Sequence, residues 1–533
     1  MDPNQEVKEN NSNNLPDSKP DEQSSTIKDK ISQIITDGVA KKDQRTDNLL
    51  HGEINGNYGN SEVSINSQQD ENLPHWVIKF SAWRRRNMSD FVFLLWLAVI
   101  VGLFAGFGSH IFNRMITIVS SFFLDHIKAD RINWWLIFVP VGGIVLAGIY
   151  TRYVIHTDLT HGVTRMMHSV YRGNYLFKWN LIYSPILGGT ITLGLGGSAG
   201  SEGPIAISGA AVGSNLGKFM HLKLPLVKVL VGCGAAAGIS GIFQSPVGGL
   251  LFTLEFLKME IGTLSILAMM LSCLVSYGMV FLLNGCKVPT QFFPGDSINP
   301  DQYGAVLLLG VLCGLYSLYY TYVINKTDTI FFKIKNPWYR NIIGGLSIGI
   351  CLLIFPALYG VGYPAMSDII HSQFDALSRG DVFNGLHMGH WGVMLAAACI
   401  LIIKCWACGA CNASGGVSSD FAPTLYAGAV AGFLFSYFCN TILNIHLPIP
   451  AFILIGMAAV MAGCIEAPMM TIFIVINMGT DFAFMLAVII GVYSSFIIVR
   501  VCSHIRGFNG SLVQHFQWFH THQGNPHAEQ PLI

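Results

Sequence analysis

The sequence predicts an all-helical integral membrane protein of two inverted-topology repeats, whose broken helices meet at a site near the membrane midplane. Three observations predict this fold. The 533 residues are 52% hydrophobic and only 12% charged, whereas soluble domains carry about 25% charged residues. Several apolar runs approach the length of a bilayer span, and blocks of sequence recur in the same order at a nearly constant offset.

The apolar runs fall into two classes by length. A transmembrane helix needs about 20 apolar residues, and the runs that reach or approach this length are 91–107 (extendable to 123), 134–150, 264–283, 306–323, 342–358 and 482–499, with a shorter run at 391–403. Gly and Pro interrupt the remaining runs, which are 205–216, 226–238, 247–256, 422–438 and 468–478. Interrupted backbone at membrane depth is tolerated only inside protein or beside a water-filled cavity, and it commonly builds ion sites.

An internal repeat supports two homologous halves. At an offset of 219, Pro204 aligns with Pro423 and Gly209 with Gly428. At an offset of 222, Pro246 aligns with Pro468, and both apolar runs end in a polar residue nine positions on. We therefore expect repeats at about 90–285 and 304–500, with a site near the midplane where they meet.

The charge distribution separates a tail from the membrane body. Residues 1–75 hold 14 of the 31 acidic and only 7 of the 31 basic residues. This polar stretch cannot bury enough apolar surface to offset its ordering entropy, so we expect a disordered tail. The basic run 84–86 just before the first span predicts that the tail is cytoplasmic. The membrane domain is expected at 76–510, followed by a short C-terminal tail at 511–533.

Two loops carry the pattern of an anion site. Residues 195–204 read Leu-Gly-Gly-Ser-Ala-Gly-Ser-Glu-Gly-Pro, and 418–423 read Ser-Ser-Asp-Phe-Ala-Pro. Glycine permits close ligand approach, and proline suits the first turn of a following helix. Two helix N-termini that converge at the midplane would bind an anion through unpaired N–H groups without a full positive charge.

Glu202 is the exceptional residue of the first loop. An acid within a membrane segment is costly and is a functional hypothesis by default. Its carboxylate could occupy the place of an anion, plugging the path when ionised and swinging away when protonated. The alternative is a buried, hydrogen-bonded carboxyl that holds a turn together.

The motifs resemble those of the CLC family of voltage-gated chloride channels and chloride/proton antiporters. Gly200-Ser-Glu-Gly-Pro204 resembles the family's Gly-Lys/Arg-Glu-Gly-Pro, and Ser419-Asp-Phe-Ala-Pro423 resembles its Gly-x-Phe-x-Pro. The segments 238–255 and 466–478 also resemble family segments, the second of them Arg-Ala-Pro-Leu-Thr-Gly, so the match runs in order over roughly 80 to 510. The resemblance implies a CLC-type fold, a homodimer, and one chloride pathway per subunit.

The resemblance also implies roles for individual residues. Glu202 is the expected gate, and the expected anion-binding residues are His161, Gly200, Ser201, Gly203, Ser419, Asp420, Phe421 and Ala422. Three of these depart from the family pattern. His161 stands where a Ser is common and could instead be a helix-cap or interfacial histidine; Ser201 replaces a basic residue; Asp420 replaces an apolar one. A carboxylate at position 420 should repel anions unless it is protonated or turned away.

Proton coupling is the open part of the sequence interpretation. Exchangers of the family often carry an inner Glu where this chain has Phe256, and Leu512 aligns with the family's inner-gate Tyr. This pattern favours a channel or a loosely coupled transporter, although Asp420, Glu255, His161 or water could supply a proton route. The alternative is a proton-coupled chloride or fluoride exchanger.

Other functions are less well supported by the residues. Cys405, Cys408 and Cys411 could mimic a metal or cluster motif in a membrane redox protein, but a helix with small residues on one side explains them better. We expect no enzyme activity, no cofactor, no bound metal and no nucleic-acid partner. Membrane lipid is the expected surrounding, in the cell (plasma or inner) membrane. Many relatives add cytoplasmic CBS domains, which we do not expect here.

Overall fold

The computed structural model describes residues 86–126, 133–157, 159–160, 162–259, 262–287, 298–371, 389–479 and 484–506. The tails at 1–75 and 511–533, together with His161 and Leu512, lie outside the described residues. Within those ranges the structure is helical, and its isolated β contact is a bridge between Gly200 and Ser419.

The first half of the membrane body contains eight helices in the described residues. They are α1 (Asp90–Leu124), α2 (Phe138–Ile149), α3 (Gly162–Tyr171), α4 (Ser184–Gly194), α5 (Glu202–Phe219), α6 (Leu224–Phe243), α7 (Pro246–Leu251) and α8 (Thr263–Leu283). Short turns of 3₁₀ helix precede α2 and α4, and π-helical turns extend α2 to Ile155 and α7 to Phe256.

The second half repeats this order. Its helices in the described ranges are α9 (Tyr303–Phe332), α10 (Pro337–Ile354), α11 (Tyr363–Ile370), α12 (Gly389–Ala413), α13 (Phe421–Ile442), α14 (Ile449–Ile465), α15 (Pro468–Met478) and α16 (Met485–Arg506). The run predicted at 342–358 ends as helix α10 at Ile354, because Pro356 cannot donate the next backbone hydrogen bond.

Equivalent helices make equivalent contacts in the two halves. Helix α5 packs on α6 as α13 packs on α14, and α6 packs on α8 as α14 packs on α16. The equivalent pairs α2 with α10 and α7 with α15 contact each other across the halves. The helix ends agree as well, since Gln244 and Glu466 both adopt left-handed backbone conformations with φ of 54° and 59°. An approximate two-fold axis therefore relates the halves.

Helix length matches a bilayer in much of the described chain. Nine helical segments there are long and apolar enough to cross a membrane. Two of them, α6 and α13, are continuous helices of 20 and 22 residues, although we expected the runs 226–238 and 422–438 to be too interrupted for straight spans. Protein encloses much of both helices: 94% of the residues in the apolar stretch of α6 and 61% of those in α13 are buried.

The glycines of these runs serve close packing instead of breaking the helices. Gly209 of α5 faces Gly234 of α6, and Gly428 of α13 faces Gly456 of α14. A Cβ built on Gly209 would lie 2.1 Å from the Gly234 carbonyl oxygen, and one on Gly428 would lie 2.3 Å from the Gly456 oxygen. Small residues at such crossings let two helix backbones approach closely, which explains why the repeat motif retains them.

Substitution of Gly209 tests this packing. We expect Gly209→Ala to lower the free energy of unfolding by about 1–3 kcal/mol, because the added methyl forces the two backbones apart. The thermal unfolding midpoint in detergent measures the effect. Gly278→Ala in α8 is the matched control, because its Cβ would meet nothing within 4 Å. Equal midpoints for the two variants would contradict the packing account.

Candidate functional site

A two-hydrogen-bond bridge joins the two Gly/Ser loops that precede α5 and α13. The Gly200 N–H donates to the Ser419 carbonyl at 2.7 Å, and the Ser419 N–H donates to the Gly200 carbonyl at 3.0 Å. These two positions are equivalent at the repeat offset of 219, so the bridge pairs a residue with its own counterpart. The loops therefore cross at the two-fold axis, and the N-termini of α5 and α13 meet there.

Glu202 begins α5 and extends its side chain to the N-terminus of α13. Its Oε2 accepts from the Ser419 hydroxyl at 2.9 Å and from the Ala422 N–H at 3.4 Å. The residue is 0% exposed, and its Oε1 has no hydrogen-bond partner among the described residues. A buried carboxylate oxygen thus occupies donors that another anion could use, and the interaction joins the two repeats.

Small residues make room for this arrangement. A Cβ on Gly200 would lie 2.3 Å from Glu202 Oε2, and one on Gly203 would lie 3.0 Å from the Ser419 Cβ. The Ser201 hydroxyl is buried and has no partner in the described chain. Helix α3 starts against the same loop, since a Cβ on its first residue, Gly162, would lie 3.6 Å from the Gly203 carbonyl carbon. His161, the residue before it, lies outside the described ranges.

Asp420 is turned away from the N-terminus that it precedes. It is the N-cap residue of α13, but its side chain makes no capping hydrogen bond. Its Oδ1 instead accepts from the Cys408 thiol at 3.1 Å and from the Asn412 amide, both on α12. The N–H groups at the start of α13 are therefore left to Glu202.

Aromatic rings pack together at the start of α13. The ring of Phe421 lies 5.0 Å from that of Phe256 and 5.9 Å from that of Phe252, measured between centroids. Phe256 and Phe252 also stack on each other at 5.4 Å. Phe256 therefore belongs to an apolar cluster that offers no group to carry a proton.

A buried lysine lies beneath the first loop, and the sequence interpretation missed it. Lys404 of α12 is 0% exposed. Its ammonium donates to the Ser198 hydroxyl at 2.8 Å and to the Gly360 carbonyl at 3.5 Å, and it lies 4.8 Å from the Tyr426 ring centroid. None of these contacts in the described chain is a carboxylate. The sequence could have pointed to Lys404, because a lysine inside an apolar membrane run is a functional candidate in its own right.

The uncompensated ammonium favours negative charge nearby. Burying an unpaired charge costs several kcal/mol, and the Coulomb attraction of a neighbouring anion recovers part of that cost. Ser198, which binds Lys404, stands four residues before Glu202 in the same loop. Lys404 thus places a buried amine against the loop that carries Glu202.

Glu255, considered above for a proton route, forms a cap across the repeats. Its carboxylate accepts from the backbone N–H groups of Met469 at 3.2 Å and Met470 at 2.7 Å, at the start of α15. The equivalent residue at offset 222 is Asn477, whose amide donates to the Ser245 hydroxyl at 2.8 Å. Ser245 in turn caps α7. The two polar residues that end the repeat motif therefore connect α7 and α15 reciprocally.

The three cysteines of α12 have different neighbours. Cys405 contacts the Tyr316 hydroxyl at 3.2 Å, Cys408 donates to Asp420, and Cys411 lies 3.8 Å from the Ser418 hydroxyl. Among the described residues no group of three or more His, Cys, Asp or Glu side chains is arranged to hold a metal ion.

Comparison with known proteins places this fold and site in a family. The family model described as voltage gated chloride channel matches residues 142–500, which is more than half of the chain. The chain therefore belongs to the CLC family of voltage-gated chloride channels and transporters, as its motifs predicted, and it is an integral, multi-pass membrane protein.

Individual relatives are similar at low identity but over most of their length. A putative chloride channel protein, ClcB-like, of Ralstonia nicotianae is 24% identical over 69% of this chain and 83% of its own. An H(+)/Cl(-) exchange transporter, ClcA, of Vibrio cholerae is 24% identical over 74% of this chain and 84% of its own. The crystal structure of a slow cyanobacterial Cl−/H+ antiporter matches with a TM-score of 0.67 at 18% identity, over 82% of this chain and 98% of that one. This likeness confirms the predicted CLC-type fold.

Proposed function

We propose that this protein conducts chloride or another small anion across a membrane, along a pathway gated by Glu202 and either channel-like or loosely coupled to protons. The observation that carries the proposal is the position of the Glu202 carboxylate, which accepts from the Ser419 hydroxyl and the Ala422 N–H. Those two donors, at the start of a helix, are the groups that an anion would use in its place.

The gate works by competition between two anions for one set of donors. Ionised Glu202 holds the donors and closes the path. When Glu202 is protonated, its hydrogen bonds lose their charge-assisted strength, roughly half of the interaction, and a free anion displaces it. The buried Lys404 and the dipoles of α5 and α13 stabilise whichever anion is present. Hydrogen bonds and partial charges suit transport, since an anion that is bound too tightly would not leave.

The remaining anion contacts and the assembly belong to the same proposal. We assign anion binding to the backbone and hydroxyl groups of Gly200, Ser201, Gly203, Ser419 and Ala422, with Phe421 as an apolar wall and His161 beside them. Membership of the family, with relatives named as chloride channel and chloride exchanger, supports chloride as the substrate. The proposal also includes a homodimer in the cell membrane with a cytoplasmic N-terminus. Its domains are a tail at 1–75, a membrane domain at 76–510 and a short C-terminal segment at 511–533.

Flux measurements on Glu202→Gln test the gate. In liposomes we expect the wild-type chloride flux to rise by up to about tenfold per unit fall in pH, because one proton releases the carboxylate. Glu202→Gln should conduct at every pH, since a neutral amide competes poorly with chloride. The matched control is Asp301→Asn, which neutralises an exposed acid and should keep the wild-type profile. A folded wild-type protein that passes no chloride, or a Glu202→Gln protein with the wild-type pH profile, would contradict the proposal.

Proton-coupled exchange is the second candidate, and the exchange transporter and antiporter among the relatives favour it. A reversal-potential measurement under crossed chloride and pH gradients separates the two. We expect a reversal potential near the chloride equilibrium potential, and we expect the pH gradient to change it very little. The reason is that the apolar cluster at Phe256 offers no proton carrier. A potential that shifts with the pH gradient according to a fixed stoichiometry would show strict exchange, with Asp420 or Glu255 as the candidate proton carriers.

A further inference from the structure

The part of the chain that contains α3, α5 and α6 is strongly basic. Between residues 162 and 254 the sequence has a single acidic residue, Glu202, and that residue is buried. The basic residues of the same stretch are Arg165, Arg172, Lys178, Lys218, Lys223 and Lys228. The stretch therefore carries a net positive charge, and its exposed members Arg172, Lys178 and Lys223 present that charge at the protein surface.

Helix α3 is amphipathic, and its basic side chains form one stripe. Arg165, His168 and Arg172 follow one another at spacings of three and four, and His168 lies within electrostatic reach of both arginines. The buried residues on the opposite side of the helix are Val163, Met166 and Val170. A short helix with an apolar stripe and a basic stripe is typical of the interface between a membrane and water.

The segment that follows α3 joins this stripe to the ends of α5 and α6. The Lys218 ammonium donates to the Phe177 carbonyl. The Ser214 hydroxyl donates to the Tyr175 carbonyl at 2.7 Å, and the Lys228 ammonium lies 6.0 Å from the Tyr175 ring centroid. These contacts gather the six basic residues of the stretch into one patch, which we call the basic surface.

Large aromatic side chains border the basic surface and are exposed. Tyr171 is 85% exposed and Trp179 is 70% exposed, and Tyr183 and Phe219 are exposed as well. Tyr and Trp concentrate where the hydrocarbon core of a membrane meets the lipid headgroups. Exposed aromatic rings beside exposed bases therefore indicate that the basic surface lies at the level of the headgroups.

We propose that the basic surface binds the phosphate group of an anionic phospholipid. Phosphate accepts paired hydrogen bonds from an arginine guanidinium and is attracted by the point charge of a lysine ammonium. Each basic residue near an anionic membrane surface strengthens the attraction about fivefold. Phospholipid fits the surface better than free phosphate does, because the bordering aromatic rings offer apolar contact that only a lipid can use. This inference is independent of the anion pathway proposed above.

A lipid bound at this surface lies one short helix away from Glu202. Helix α3 has 10 residues and is therefore about 15 Å long. A Cβ on its first residue, Gly162, would lie 3.6 Å from the Gly203 carbonyl carbon, whereas Arg172 follows its last residue. A lipid that holds the far end of α3 consequently limits the movement of a helix whose near end abuts the loop that carries Glu202.

Lipid titration of the purified full-length protein tests the site. Phosphatidylglycerol is added to the protein in detergent, native mass spectrometry counts the bound lipid, and amide hydrogen exchange locates it. We expect phosphatidylglycerol to bind more tightly than phosphatidylcholine and to slow the exchange of amides within residues 162–178. In Arg172→Gln/Lys178→Gln/Lys223→Gln the Kd for phosphatidylglycerol should rise about fivefold per lost base, on the order of 100-fold in all.

The matched control is Lys326→Gln/Lys333→Gln/Lys335→Gln. It removes three exposed lysines at the end of α9 and just after it, so its net charge changes by the same amount. We expect this variant to keep the wild-type Kd for phosphatidylglycerol and the slowed exchange within residues 162–178. An equal rise in Kd for the two triple variants would overturn the inference, because overall charge and not this surface would then attract the lipid.

Three further results would also overturn the inference. Phosphatidylcholine that binds as tightly as phosphatidylglycerol would show that the surface does not recognise net negative charge. Inorganic phosphate that slows the exchange of residues 162–178 as much as the lipid would assign the surface to a soluble anion. Slowed exchange that is confined to other segments of the wild-type protein would place the lipid elsewhere, without any variant that could misfold. The proposed function would stand in each case, since none of these measurements depends on anion flux.

Discussion

The rest of the site depends on the pair of hydrogen bonds between Gly200 and Ser419. Each residue donates to and accepts from its own counterpart in the other repeat, which fixes the two loops at the two-fold axis. With the loops joined there, Glu202 at the start of α5 can reach the Ser419 hydroxyl and the Ala422 N–H at the start of α13. A side chain at position 200 would collide with the Glu202 carboxylate. Glycine at this position therefore makes room for the Glu202 carboxylate beside the bridge.

Around this bridge, a buried carboxylate faces the partial positive charge of a helix N-terminus. The helix N-termini supply partial charges, and Lys404 lies buried beside the first loop, where it contacts a hydroxyl, a carbonyl and an aromatic ring. Two carboxyls oppose them, Glu202 inside the site and Asp420 turned towards α12. The reciprocal connection of α7 and α15 through Glu255 and Asn477 fastens the repeats at a second place. In the function proposed above, gating of the anion depends on this electrostatic balance.

The residues alone predicted much of this arrangement, and the reasons for the gaps are physical. The lengths of the apolar runs predicted the membrane fold, the repeat offset predicted the two halves, and the Gly/Pro loops predicted the loops that meet. Each of these features can be read from a short stretch of sequence. The length of α6 and α13 was underestimated, since a glycine in sequence can mark either a break or a close helix crossing, and only the facing residue decides between them. Lys404 could have been singled out as a lysine inside an apolar run, but its partners and the contact of Asp420 with Cys408 could not, because they join residues on segments whose packing no local pattern specifies. The role of Glu255 in capping α15 depends on the same long-range geometry.

In the function proposed above, the Glu202 carboxylate stands in the place of the transported anion. A crystal structure of Glu202→Gln grown in bromide tests it most directly, because anomalous scattering identifies bromide and not water. We expect one bromide per subunit within hydrogen-bonding distance of the Ser419 hydroxyl and the Ala422 N–H, with the substituted side chain at position 202 displaced from them. Those donors would then hold the ion that the carboxylate had excluded. A bromide bound elsewhere in the membrane body, with the side chain at position 202 still on Ser419, would contradict the account.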